Sequence, residues 1–173
     1  MMMIKKINAI IAILISLMLI DHSIACSIHL ITHNYEDSIA APAIILACLV
    51  VIHASISLFA VFVKHDNSTV KYKKINRGTV VQRITGIAVI LVLIPHAICA
   101  WMFMPERITQ LFIITHFIFV IVADIHAAIS VPKGLVTLGL MASEKKYKVC
   151  QIICWIICIP LIGLGLAGSI MGG

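Results

Sequence analysis

Charged residues are scarce in this 173-residue chain, and that scarcity limits the classes of protein it can belong to. Lys, Arg, Asp and Glu make up only 12% of it, whereas 62% is hydrophobic. Soluble globular domains carry roughly 25% charged and 45–50% apolar residues, so a water-soluble fold could not cover this much apolar surface. The net charge of +6 does not indicate nucleic-acid binding, because the lysines lie in short blocks between long apolar runs. The composition predicts an integral membrane protein.

Several cofactor motifs are missing as well. The sequence has no Cys-x-x-Cys-His for covalent haem, no Gly-rich nucleotide fingerprint and no cysteine cluster suited to an iron-sulfur centre. Its six cysteines all lie within apolar segments, where a thiol usually behaves as a small hydrophobic side chain. Cys150, Cys154 and Cys158 share one helix face, for which helix packing is favoured over metal binding. Any haem would therefore be held by coordination alone.

Five apolar segments are long enough to cross a bilayer as helices, which takes about 20 residues each. They cover approximately residues 7–31, 39–63, 80–103, 108–131 and 149–170. The predicted fold is all-α, a single transmembrane domain over residues 1–173, with longer polar loops after the second and fourth segments. A secretory signal is the alternative for the first segment, because Lys5 and Lys6 precede it and HSIAC resembles a cleavage site. The segment nevertheless stays apolar to Ile31.

The basic residues predict the orientation of the chain. Of the 13 Lys and Arg residues, 12 lie at the N-terminus, in the two long loops or just inside the following helix. Only Arg107 lies on the other side of the predicted membrane. By the positive-inside rule the N-terminus is expected in the cytoplasm, and an odd number of spans then puts the C-terminus outside.

Four of the eight histidines lie deep in four different spans, at two levels. His22 and His96 lie about 15 and 16 residues from the cytoplasmic ends of the first and third spans, in the outer half. His53 and His126 lie about 14 and 18 residues from the outer ends of the second and fourth, in the inner half. Two stacked haems with paired histidine ligands require this layout. Hydrogen bonds to neighbouring helices are the alternative, but they do not explain the shared levels.

Three charged residues in or near the spans keep more than one interpretation open. Arg83, at the cytoplasmic edge of the third span, either meets a haem propionate or anchors the helix. Asp21 and Asp124 lie one or two residues before candidate ligands, well inside their spans. They either carry protons, orient imidazoles or face a polar cavity without further function.

The remaining histidines and outer-side acids are weaker candidates. His29 is expected at the outer interface, and His116 is expected to make an interhelical hydrogen bond. We expect water to solvate His33 and His65. Three outer-side acids either accept protons from a quinol or are solvated: Glu36, Asp37 and Glu106.

Segments around all four histidines resemble one family. The third span reads INRGTVVQRITGIAVILVLIPHAICAW, with HASISLFAVF beginning at His53, IDHSIACSIH around His22 and DIHAAISVPKGLVTLGL around His126. Over roughly residues 14–140 the chain resembles the cytochrome b anchor subunit of succinate dehydrogenases and fumarate reductases, in its five-helix, dihaem, single-polypeptide form. It departs from the family where INAIIA and AAISVP replace a basic and polar motif and a glycine.

The resemblance implies a pairing, a role and partners. The family pairs the ligands of its first and third helices, here His22 and His96, and of its second and fourth, here His53 and His126. Its two b haems pass electrons between cytoplasmic flavoprotein and iron-sulfur subunits and a membrane quinone, often menaquinone, in the inner (cytoplasmic) membrane. Dicarboxylate chemistry belongs to the partner subunits. The alternatives are a dihaem cytochrome b of another quinone-linked dehydrogenase and a haem-free small transporter or assembly protein.

Overall fold

The chain folds as an all-α bundle, which confirms the predicted fold class. The computed structural model describes residues 2–32, 40–63, 77–103 and 110–171. In these ranges the backbone is helical apart from one turn at 138–143. The helices are α1 (Met2–Thr32), α2 (Ala40–Leu58), α3 (Arg77–Phe103), α4 (Gln110–Thr137) and α5 (Glu144–Met171), and a π-helical turn, Phe59–Val63, extends α2.

The link between α4 and α5 is much shorter than the sequence predicted. The loop expected over 132–148 is wrong, because α4 continues through Pro132 to Thr137 and α5 already begins at Glu144. Pro132 is buried inside the helix. A proline there lacks one backbone hydrogen bond, but tertiary packing tolerates this in membrane helices.

Local capping explains where α4 ends and α5 begins. Gly139 has φ 79°, a left-handed conformation that costs glycine little. The Leu140 amide donates to the Leu135 carbonyl and the Gly139 amide to the Val136 carbonyl, each at 3.0 Å, which is the Schellman arrangement. Ser143 then caps α5, because its hydroxyl accepts from the Lys146 amide at 3.3 Å.

The outer surface of the bundle is apolar, as expected for contact with lipid. All five helices are long and apolar enough to cross a membrane, with mean hydropathy between 2.0 and 2.7. Leu17, Leu91 and Ile156 are each more than 60% exposed. Several buried side chains are polar instead, among them His96, His116, Asp124 and five hydroxyl residues. The chain is a multi-pass membrane protein, while its orientation stays a prediction.

Helices α1 and α4 are the centre of the bundle. Helix α1 packs against α2, α4 and α5, and α4 packs against α1, α3 and α5. Added Cβ atoms on Gly165 and Gly168 of α5 would lie 2.8 Å from the Val120 side chain and 3.1 Å from the Ser27 backbone. Two of the three glycines in the segment GLGLAG thus allow close approach of neighbouring helices. This packing holds α5 against α1 and α4 and leaves the other side of this central pair to α2 and α3.

Candidate functional site

A first histidine group comprises His22 of α1, His96 of α3 and His116 of α4. His96 and His116 are buried, with 6% and 1% exposed, and their ring centroids are 5.5 Å apart. His22 is half-buried and lies within electrostatic range of both. His96 and His116 lie seven and six residues from the helix ends Phe103 and Gln110. The structure therefore brings the predicted pair His22 and His96 together and adds a third imidazole at the same level.

Aromatic rings orient the first group without occupying its nitrogens. The His96 ring stacks on Phe119 with centroids 4.7 Å apart and planes within 4°, and on Phe112 at 5.6 Å. Phe112 also stacks with His116 at 5.8 Å. Nδ1 of His96 and both ring nitrogens of His116 are buried without a hydrogen-bond partner in the described part of the chain. An unsatisfied buried polar group costs about 1–3 kcal/mol, so these nitrogens favour binding a ligand.

A second histidine group comprises His53 of α2 and His126 of α4, which lie within electrostatic range of each other. The Thr85 hydroxyl of α3 is 2.9 Å from His126 Nδ1, and the Ser130 hydroxyl is 3.3 Å from its Nε2. Nδ1 of His53 is buried and unpartnered within the described ranges. The second predicted pair is therefore near enough to interact electrostatically, and its joint ligation of a haem stays a prediction.

The QRITG segment has a physical role that the sequence pattern did not reveal. Its last residue, Gly86, faces the His126 ring so closely that an added Cβ would lie 3.1 Å from Cε1. Together with Thr85, it forms the surface of α3 on which this imidazole rests. Any side chain at 86 would force the ring to move.

Two cations lie near the second group. Arg83 is half-buried on α3, one turn before Gly86. Lys133 was assigned to a loop from the sequence, but it lies inside α4, and its buried Nζ has no hydrogen-bond partner among the described residues. It is within electrostatic range of His126. Since seven residues are two helical turns, Lys133 shares a face with His126, and that spacing was the missed sequence signal.

Apolar packing separates the two groups. Leu19, Leu46, Phe119 and Ala123 form a buried cluster contributed by α1, α2 and α4, and valines of α3 pack against it. Phe119 and Ala123 lie between His116 and His126 in α4. The side chains of this cluster have no hydrogen-bonding groups, and they lie between the polar atoms of the first histidine group and those of the second.

The expected interhelical hydrogen bond of His116 is wrong. The structure also gives the positions of Asp124 and Asp21, whose roles the sequence left open. His116 makes no interhelical hydrogen bond within the described residues. Asp124 is 1% exposed and lies within electrostatic range of Cys158 on α5, and its Oδ2 has no hydrogen-bond partner among the described residues. Asp21 is exposed on the outside of α1, and His29 is half-buried on the same helix.

Six candidates lie outside the described residues, and the predictions about them stand untested: His33, His65, Glu36, Asp37, Glu106 and Arg107. Within the described residues, no three His, Cys, Asp or Glu side chains come close enough to hold one metal ion. All six cysteines are free thiols. Comparison with protein-family models, curated proteins and solved structures found no match.

Proposed function

We propose that this chain is the dihaem cytochrome b anchor subunit of a succinate:quinone or quinol:fumarate oxidoreductase. The observation that carries the proposal is the grouping of four histidines from four helices, His22 with His96 and His53 with His126. The resemblance around QRITG supports the same pairing. Bound haem b would relay single electrons, since an iron with two axial imidazoles has no open position for substrate.

The donor set fits b-type haem. Imidazole nitrogen is an ordinary axial ligand of haem iron, and the interior of a helix bundle is where such sites are built. His53 and His96 each have a buried ring nitrogen that no described residue binds. The glycine at 86 leaves room for the His126 ring beside α3, and coordination through His126 Nε2 would replace its 3.3 Å contact with the Ser130 hydroxyl. These features support coordination from four helices without a covalent attachment.

The charges near the second group suit the haem propionates. The unpartnered Nζ of Lys133 is a cation on the His126 face of α4, where it would bind a carboxylate and so relieve its own burial. Arg83 on α3 is the second candidate for this contact. Lys133 and Arg83 are therefore the residues that would bind the propionates of a haem held by the second group.

Electron entry and exit require partners. We propose that cytoplasmic flavoprotein and iron-sulfur subunits dock on the side of the N-terminus and the Lys-rich loops, and that a quinone, often menaquinone in relatives, exchanges electrons within the membrane. The first histidine group would then hold the outer haem and the second group the inner one. Succinate or fumarate chemistry would take place in the partners, because this sequence carries no flavin or iron-sulfur motif.

A haem count and redox titration test the proposal. The protein, expressed in a haem-sufficient membrane and purified, is expected to give a b-type reduced-minus-oxidised spectrum with about two haems per chain. His22→Ala is expected to remove one component, and both His53→Ala and His126→Ala the other. His29→Ala, in the same helix as His22, is the matched control and should keep both.

Two outcomes would contradict the proposal in different ways. Folded but colourless protein would refute the haem assignment altogether. If His22→Ala and His53→Ala removed the same component, the haems would be present but the pairing would be wrong. Copurification of subunits other than a flavoprotein and an iron-sulfur protein would assign the chain to a different dehydrogenase.

A further inference from the structure

His116 is the buried imidazole for which the proposed function has no use. It is 1% exposed, neither ring nitrogen has a hydrogen-bond partner among the described residues, and its centroid lies 5.5 Å from that of His96. In an apolar bundle, burial of such a side chain destabilises the fold unless a ligand or a hydrogen-bond partner compensates for the lost hydration. Its placement beside a candidate iron ligand suggests what that partner is.

His96 and His116 lie side by side, with ring centroids 5.5 Å apart, and both are neighbours of His22. Both belong to neighbouring helices, α3 and α4, and both lie within electrostatic range of the His22 ring on α1. Phe112 stacks with both, at 5.6 and 5.8 Å. A group bound by His22 would therefore have two imidazoles in its vicinity.

We propose that His116 is an alternative axial ligand that replaces His96 on the iron held by His22, an inference that rests on the proposed function. In the exchange, the bond from His96 nitrogen to iron breaks and its electron pair stays on His96. A His116 nitrogen donates its own electron pair to form the new bond. Both imidazoles are neutral before and after, and the oxidation state of the iron does not change.

Little resists this exchange in the protein. Nδ1 of His96 and both nitrogens of His116 have no hydrogen bond to a described residue that would have to break. The two rings are 5.5 Å apart and tilted by 37°, so a rotation of either ring would present one or the other to a shared ligand. The apolar faces of Phe112 and Phe119 allow such sliding because stacking contacts are not strongly directional.

The test is the spin state of the first-group haem in single and double variants of the whole membrane complex. His96→Phe keeps a flat ring against Phe119 but supplies no ligand, and His96→Ala opens the space. Both are expected to retain about one low-spin first-group haem per chain, as is His116→Ala, by electron paramagnetic resonance and absorption. The double variant His96→Ala/His116→Ala is expected to lose the low-spin signal, leaving a high-spin iron or no haem.

The second-group haem provides the internal control for folding. Loss of the low-spin first-group signal in both single variants of His96 overturns the proposal, whether or not the second haem remains. The proposal is also overturned if His96→Ala shows the low-spin first-group signal only after imidazole is added, because His116 would then not reach the iron. Wild-type protein without any haem would instead refute the proposed function on which the inference rests.

Discussion

Replacing Gly86 with alanine tests the second histidine group through a single added methyl group. The new Cβ would lie 3.1 Å from Cε1 of His126. Carbon atoms prefer separations of about 3.5–4.0 Å, so the ring has to move by about 0.4 Å or more. Metal–ligand distances vary by only about 0.2 Å, so a movement of this size disturbs coordination.

The expected effect follows from the cost of overpacking. Extra methyl groups in a packed interior cost about 1–3 kcal/mol, which corresponds to about 5- to 150-fold weaker retention of the second-group haem. Haem content and the midpoint potentials of the two components, measured by redox titration of purified Gly86→Ala protein, are the assay. The first-group component should stay unchanged, because the nearest atoms to an added Cβ at 86 all belong to His126.

Gly163→Ala is the matched control, because no heavy atom lies within 4 Å of an added Cβ at that position. It should leave both haems as in the wild type. If Gly86→Ala retained both haems with unchanged midpoints while His126→Ala lost one, the contact between QRITG and the His126 ring would not position the ligand. A loss of the first-group component alone would also refute the reasoning.

Three further outcomes are expected. Thr85→Val removes the hydroxyl 2.9 Å from His126 Nδ1, a hydrogen bond worth about 0.5–1.5 kcal/mol. The substitution should shift the midpoint potential of the second-group haem alone. An equal shift of both midpoints would contradict this role of Thr85. Gly168→Ala brings a Cβ within 3.1 Å of the α1 backbone. It should lower the stability in detergent by about 1–3 kcal/mol relative to Gly163→Ala, measured by thermal unfolding. Equal stabilities of the two variants would contradict close packing of α5 against α1 at Gly168. A cysteine at Asn67 should resist an external impermeant reagent, whereas external labelling would reverse the topology.

Hydropathy was sufficient to predict the five helices, because spanning a bilayer demands a long apolar run whatever the neighbours are. The end of α4 was not predictable in the same way. Pro132 and Lys133 indicate a loop by composition, but burial of the proline and the cap at Gly139 decide otherwise. Tertiary packing therefore overrode local propensity at this position.

Depth counting predicted which histidines share a level, since helices of similar length place residues at comparable levels, and ligation by these pairs stays a prediction. The third imidazole could have been found by the same count, because His116 lies as far from its helix end as His96 does. The surroundings of Asp124 were beyond sequence reasoning. Its contact with Cys158 depends on which helix packs against α4, and no periodicity in a single segment contains that information.

Helix α4 also has a mechanical consequence, because it carries one histidine from each group. Ten residues separate His116 from His126, which at 1.5 Å per residue is an axial distance of about 15 Å. A continuous helix is stiff along its axis, so this segment acts as a spacer of fixed length between the two levels. In the proposed function, the distance between the two levels would contribute to how far an electron travels between the haems. Inserting one residue between Phe119 and Ala123 would lengthen the spacer by about 1.5 Å and rotate His116 relative to His126 by about 100°.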